Sequence, residues 1–371
     1  MSAAANSNSI TEAASPQPYD LLAEGARARK LSAEVDGVKS LIEGTRLVND
    51  AVLAQVLFAL WDSGFYEFSL THATFQIQAA ADELRLDPTH LRWLLEYLVG
   101  RGFLQDADGT FSLTDRGARL SNVLLRGTMD LYIGGYGPLL ANMGRLLRRE
   151  ILQDDFKHLR SGRHTVRGTE QLICVRTVPA VLKILAQRKL TRVLNIACRT
   201  GQFLIELARS EPALQGIGID KATDRVAASQ ANALAHGVDS RVRFVKAELG
   251  RDPWPLDAES IDQIDAVATL YFFHEVARFG RHKVVGLLRQ IKETFPGRLL
   301  LFMETMPYEP PPQGTKLPQT FSQLDYLLIH RIRDQGLPLP SAEWRSILEE
   351  AGLKLVEVQE IYWSGLYLAE L

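Results

Sequence analysis

Two periodicities divide the chain. In its first third, apolar residues recur at helical spacing. Val48, Val52, Leu53, Val56, Leu57 and Leu60 fall on one face, which predicts a buried helix. Trp61-Asp62-Ser63-Gly64-Phe65 reads as its C-terminal break, with Gly64 suited to a left-handed residue. Ile77 to Leu84, and Thr89 to Val99 after the Asp87-Pro88 cap, predict two further helices. Gly102-Phe103-Leu104 and Phe111-Ser112-Leu113-Thr114 flank Asp106-Ala107-Asp108-Gly109, the pattern of a hairpin turning at Asp-Gly.

From Gln171 the pattern changes to short apolar runs separated by helical stretches. Strands are expected at Val193–Ile196, Gly216–Ile219, Val242–Val245, Ile264–Ala268 and Arg298–Met303, with crossover helices between them. Leu353–Ile361 and Ser364–Leu371 then form a terminal hairpin, so the last strand runs antiparallel to an otherwise parallel sheet. The prediction is an α/β fold: a Rossmann-like seven-stranded sheet with an antiparallel C-terminal hairpin, preceded by a mostly α winged-helix domain. At 371 residues two domains are expected. The expected boundaries are a disordered tail at 1–30, a winged-helix domain at 31–120, a helical, substrate-covering linker at 121–170 and a catalytic domain at 171–371.

Composition narrows the function. A formal charge of −2 gives no bulk attraction to nucleic acid or an anionic membrane. The would-be recognition helix, Thr89 to Leu98, offers only His90 and Arg92 as cations, too few for phosphate neutralisation. Its better role is dimerisation or covering a substrate. Two cysteines, Cys174 and Cys198, exclude a disulfide framework, and neither a secretory leader nor a spanning run is seen. A cytoplasmic protein is expected.

The chemistry concentrates in Arg192–Asp220. This is a strand, the turn Ala197-Cys198-Arg199-Thr200-Gly201, a helix, and a second strand ending in Asp220. Such a unit holds a nucleoside, with the acid accepting from ribose hydroxyls. A nicotinamide site would want G-x-G-x-x-G; the turn has Gly201 alone. Further on, Arg126-Gly127-Thr128-Met129-Asp130-Leu131-Tyr132-Ile133-Gly134-Gly135-Tyr136-Gly137 carries glycines that imply close backbone approach, by a packed helix or a ligand. After the fourth strand comes Leu270-Tyr271-Phe272-Phe273-His274-Glu275, and a later helix holds His330.

Single-glycine turn, Asp220 and terminal hairpin together resemble the class I S-adenosylmethionine-dependent methyltransferases. From about residue 35 to 371 the chain resembles the small-molecule methyltransferases of the plant O-methyltransferase type and their bacterial relatives. The resemblance implies S-adenosyl-L-methionine binding by Asn195, Ala197, Gly201, Asp220 and Glu248. Two departures stand out: Asn195 replaces the usual first acid, and Arg199 brings a long side chain where a glycine is usual. In O-methyltransferases the position of His274 is the general base toward a hydroxyl.

Three features resemble the bacterial 2-oxo acid C-methyltransferases (phenylpyruvate and 2-ketoarginine type) more closely. These are the Arg126 to Gly137 stretch, the His274-Glu275 pair and His330. That group implies a metal, iron or another divalent or trivalent ion, on His274, Glu275 and His330, stabilising the enolate of the substrate. It also implies catalytic roles for His274 and Arg126, the latter binding the substrate carboxylate. Trp93 and Tyr97, one turn apart, and Tyr136 are candidates to line the substrate pocket, with core packing as the alternative. The expected reaction is methyl transfer to the β-carbon of a 2-oxo acid, for a β-methyl amino acid. Glu96, Asp130, Glu304 and Asp325 tilt the choice toward 2-ketoarginine (5-guanidino-2-oxopentanoate). The alternatives are a small-molecule O-methyltransferase with His274 as base, and a non-catalytic winged-helix nucleoside-binding regulator. A homodimer through the N-terminal domain, with no nucleic-acid or membrane partner, is expected.

Overall fold

The structure is a computed structural model that describes residues 37–249, 254–307, 323–361 and 363–371. The tail expected at 1–30 lies outside the described residues. The chain divides into two compact units, one ending at Gly168 and the other running from Thr169.

The N-terminal unit opens with helix α1 (Gly37–Asp62), followed by α2 (Phe65–Thr71), α3 (Ile77–Leu84) and α4 (Pro88–Gly100). Gly64, at φ 79°, takes the left-handed break between α1 and α2. Asp87 caps α4 by accepting from the His90 amide at 2.8 Å, with Pro88 in the first turn. Strands β1 (Leu104–Ala107) and β2 (Thr110–Leu113) pair antiparallel, with Asp108 and Gly109 both left-handed at the turn. The core gathers Leu57, Leu60, Phe65, Leu95, Phe103 and Phe111.

One expectation about α1 is corrected. Leu57 and Leu60 are buried, but Val48 is 63% and Val52 47% exposed, and Leu41, Ile42 and Leu47 are exposed as well. The core of this unit covers only the C-terminal half of the helix.

The stretch from Arg126 to Gly137 continues α5 (Val123–Met129) into a π-helical turn, Asp130–Gly135. The Tyr136 amide bonds the Leu131 carbonyl at 2.9 Å, a five-residue step. Its glycines serve helix packing: a Cβ on Gly135 would meet Thr165 Oγ1 at 2.8 Å. Thr165 belongs to α6 (Gly162–Arg188), which also supplies His164 and Arg167.

The second unit is one seven-stranded sheet in the order β5-β4-β3-β6-β7-β9-β8. The strands are β3 (Arg192–Ile196), β4 (Gln215–Asp220), β5 (Val242–Lys246), β6 (Ala266–Leu270), β7 (Leu299–Thr305), β8 (Lys354–Ile361) and β9 (Ser364–Glu370). The first five run parallel, β9 pairs antiparallel with β7, and β8 pairs with β9. The fourth strand starts two residues later than its sequence pattern, at Ala266.

The central strands are buried on both faces and their side chains alternate between two cores. Val193, Ala266, Leu301 and Leu368 join one; Leu194, Val267, Leu300 and Tyr367 join the other. Helices α7 (Gln202–Ser210) and α8 (Thr223–Ala235) contribute Phe203, Leu204 and Val226 to the first. Helices α9 (Arg281–Thr294) and α11 (Ser341–Glu350) contribute Val284, Ile291 and Trp344 to the second; α10 (Gln323–Ile332) lies between them in the chain.

Candidate active site

The strand order reverses at β3 and β6, so the crevice at their C-terminal ends is where this architecture binds a ligand. Three elements meet there: the turn 197–201 after β3, Asp220 ending β4, and Tyr271–Glu275 after β6.

The turn keeps a glycine-like backbone without the glycines. Ala197, Arg199 and Gly201 have φ of 55°, 54° and 79°. Left-handed backbone costs about 1–2 kcal/mol in a residue with a Cβ, so two positions carry strain. Gly201 cannot be replaced even at that cost, because its Cβ would meet Phe244 Cζ at 2.5 Å and Ser229 Cβ at 3.0 Å. The loop is braced from α8: Ser229 Oγ donates to the Arg199 carbonyl and Asn232 Nδ2 to the Thr200 carbonyl, both at 3.1 Å.

Asp220 is 4% exposed, and its two oxygens accept from the amides of Arg199 and Ala222, each at 3.0 Å. One lone pair on each oxygen stays available for ribose hydroxyls. Glu248, past the end of β5, lies 3.7 Å from Lys221. Asn195 is buried, and its Nδ2 donates to the Ala268 carbonyl at 3.2 Å. A left-handed turn after β3 beside a buried acid at the end of β4 fits an adenosine-bearing methyl donor.

Beyond β6 the arrangement is tighter. His274 is 2% and Glu304 1% exposed. Glu304 Oε1 accepts the amides of Phe272, Phe273 and His274 at 3.0, 2.7 and 3.3 Å, and Oε2 lies 2.6 Å from His274 Nδ1. The Leu270–Met303 register brings them together, since Glu304 follows Met303 within β7 and His274 sits on the turn that leaves the end of adjacent, parallel β6. Burial opposes the imidazolium, but the Glu304 charge and hydrogen bond outweigh it and raise the His274 pKa.

His274 Nε2 is buried without a hydrogen-bond partner among the described residues. The His330 ring, on α10, has its centroid 5.5 Å away, and its Nδ1 donates to the Tyr326 carbonyl at 2.8 Å. Burial and the neighbouring His274 depress the His330 pKa to about 3, so this imidazole is neutral. Gly336 is needed behind His274: a Cβ there would overlap the His274 carbonyl oxygen.

The metal set His274, Glu275 and His330 is not assembled. Among the described residues no group of three or more His, Cys, Asp or Glu side chains is placed to hold a metal ion. Adjacent residues of a helical turn point about 100° apart. The Glu275 carboxylate accepts from Gln335 Nε2 at 2.8 Å, and its charge reaches His274 without a hydrogen bond to it. The carboxylate that touches His274 is Glu304.

The remaining candidates lie in the N-terminal unit. Arg126 is ion-paired with Glu67. Trp93 is 57% exposed and edge-on to His90, Tyr97 sits beneath the Arg101 guanidinium, and Tyr136 is buried near Tyr132. Of the acids expected around a guanidinium, three have partners and one is exposed. Asp130, 2% exposed, is forked by Arg167, whose Nε lies 2.7 Å from it. Glu304 holds His274, Glu96 lies 4.0 Å from Arg92, and Asp325 faces solvent.

The fold and this crevice define the class I methyltransferase architecture, and comparison with known proteins agrees. No protein-family model matches the chain. It is 24% identical over 323 residues to 2-ketoarginine methyltransferase of Streptomyces arginensis, covering 85% of this chain and 89% of that protein. Human N-acetylserotonin methyltransferase, solved with S-adenosylmethionine, superposes with a TM-score of 0.62 at 16% identity, over 88% of this chain and 97% of that one. The N,N-8-amino-8-demethyl-D-riboflavin dimethyltransferase of Streptomyces davawensis gives 0.58 at 17%, over 89% and 98%. The chain thus shares the fold of proteins named as methyltransferases, and the sequence relative carries that name as well.

Proposed function

We propose that this chain transfers a methyl group from S-adenosyl-L-methionine to C3 of a 2-oxo acid, with 2-ketoarginine the first substrate to test. The likeness to 2-ketoarginine methyltransferase over most of both chains supports that substrate class. The acids singled out in the sequence no longer do, because Asp130 and Glu304 have partners of their own.

The observation that carries the chemistry is His274, with Nδ1 committed to Glu304 and Nε2 unpartnered. A carboxylate on Nδ1 fixes the tautomer, keeps the lone pair on Nε2 and raises its basicity. Nε2 takes a proton from the acceptor carbon, leaving its electron pair as an enolate. That carbon then attacks the sulfonium methyl; the carbon–sulfur bond breaks, its electrons stay on sulfur, and S-adenosylhomocysteine leaves. The donor turn and His274 follow adjacent strands β3 and β6, which favours an in-line approach. No step is assigned to a metal, since the expected ligands do not converge.

That divergence favours a second reading. Without a Lewis acid, a histidine base is better matched to a hydroxyl than to a carbon acid, so O-methylation with His274 as base keeps its standing. Incubation with labelled cofactor, a panel of 2-oxo acids and a panel of hydroxylated aromatics decides between the two, read by product mass and position of label. Label at C3 of an oxo acid, insensitive to chelators, is the expected result. Label only on aromatic oxygens would replace it with the second reading, and chelator-sensitive C3 labelling would restore the metal.

The exposed apolar half of α1 supports a homodimer through the N-terminal unit, whose helix–helix–hairpin order is that of a winged helix. No helix among the described residues is long and apolar enough to cross a membrane.

A further inference from the structure

We infer that the zwitterionic end of the methyl donor is held by two side chains, Glu170 on its ammonium and Arg199 on its carboxylate. The inference rests on the methyl-donor reading above and names how this particular site binds it.

A narrow cleft beside the donor turn, with room for about one water, is lined by Glu170, Asn195, Ala197, Arg199, Phe203 and Leu270, so the amino-acid end of a donor would lie across its mouth. The position nearest the strand, Asn195, is uncharged and spends its amide on the Ala268 carbonyl. Glu170 reaches the same cleft from α6, a different element. It is 8% exposed, and its carboxylate accepts from the Thr200 amide at 3.0 Å and from the Thr200 hydroxyl. Those bonds pin it to the turn and leave a lone pair on each oxygen.

Burial pushes the Glu170 carboxyl above the ordinary carboxylate range despite both Thr200 bonds and the fields of Arg199 and Arg225. An ammonium within hydrogen-bond reach is the group that favours its charged form. A buried acid with neutral donors only is expensive, and one facing a cleft is poised for a cation.

Arg199 supplies the opposite charge. Its amide donates to Asp220 at 3.0 Å and Nη2 to the Tyr271 carbonyl at 3.3 Å, so the guanidinium lies along the crevice with further N–H groups to offer. One buried anion and one cation on a single cleft suit an α-amino acid moiety. They do not suit a pyrophosphate, which would want donors alone.

Calorimetric titration of the full chain with three ligands tests the assignment. S-adenosylhomocysteine carries both charges, its deaminated analogue only the carboxylate, and 5′-methylthioadenosine neither. Glu170→Gln keeps both contacts to Thr200, so the turn should hold. It is expected to weaken S-adenosylhomocysteine about 10- to 100-fold and leave the other two unchanged. Arg199→Gln should weaken S-adenosylhomocysteine and the deaminated analogue alike and spare 5′-methylthioadenosine. If Glu170→Gln weakens all three ligands equally, or none, Glu170 merely braces the turn and the inference is overturned. If the wild-type chain binds none of the three, the methyl-donor reading itself is wrong and the inference falls with it.

Discussion

Replacing Glu304 with Gln removes a charge from beside His274 and little else. The amide fills the same volume, and its oxygen can keep the amides of Phe272, Phe273 and His274 that Oε1 now accepts. What changes is the 2.6 Å contact to Nδ1. A glutamine NH2 directed there forces neutral His274 to accept at Nδ1 and to carry its proton on Nε2, the nitrogen the proposed chemistry needs bare. Loss of a carboxylate behind a working imidazole costs about 10–100-fold, and an inverted tautomer up to about 10⁴-fold. The expected loss in kcat is therefore about 10²- to 10⁴-fold, or about 3–5 kcal/mol of barrier.

The same substitution moves the pH profile. Burial already opposes the imidazolium, and the Glu304 charge and hydrogen bond, with the Glu275 charge behind them, reverse that. Without the Glu304 charge the His274 pKa drops, and the acid limb of the residual activity shifts to lower pH. Stability follows with a definite sign. A folded-state pKa above the unfolded 6.5 stabilises fully below pH 6.5 and is lost as pH rises through the folded value. Wild type should thus exceed Glu304→Gln by about 1.5–3 kcal/mol in urea melts below pH 6.5, with the gap narrowing above it. A variant with an unshifted limb and an undiminished plateau would refute the assignment of His274 and Glu304 as a working pair.

Other substitutions probe separate parts of the molecule. Gly336→Ala drives a methyl into the His274 carbonyl and should cost about 1–3 kcal/mol together with activity. Arg167→Met leaves Asp130, 2% exposed, without its cation and should cost about 3–5 kcal/mol; adding Asp130→Asn should recover part of it, and simple additivity would deny the coupling. Ala197→Gly relieves a φ of 55° and should gain about 1 kcal/mol, read as a higher Tm. His330, held near 3 by burial and His274, stabilises above pH 6.5 and loses that as pH falls toward 3; His330→Gln should flatten this part of the acid denaturation curve.

The sheet could be read from the sequence because each strand is an apolar run bounded by turns, and hydrophobic burial is a local property of such runs. The terminal hairpin was visible for the same reason, and with it the class of fold. Where a helix would be covered was not visible: Val48 and Val52 share the stripe of Leu57 and Leu60, yet only the latter pair meets the core of its own unit.

The donor turn shows both sides. Ala197 and Arg199 read as departures from a glycine pattern, and the backbone nevertheless keeps left-handed geometry at both, held by β4 and α8 from outside. Which acid serves His274 was decided wholly in three dimensions. Adjacency in sequence pointed to Glu275, but that carboxylate bonds Gln335, and parallel pairing of β6 with β7 delivers Glu304 from thirty residues further along. Glu170 had no signal at all, lying in a helix before the sheet begins. Sequence by itself determined which segments are buried and in what order they run, because periodicity encodes a face. Only the tertiary structure decided which charges meet, because contact across strands depends on register and direction, which no single segment contains.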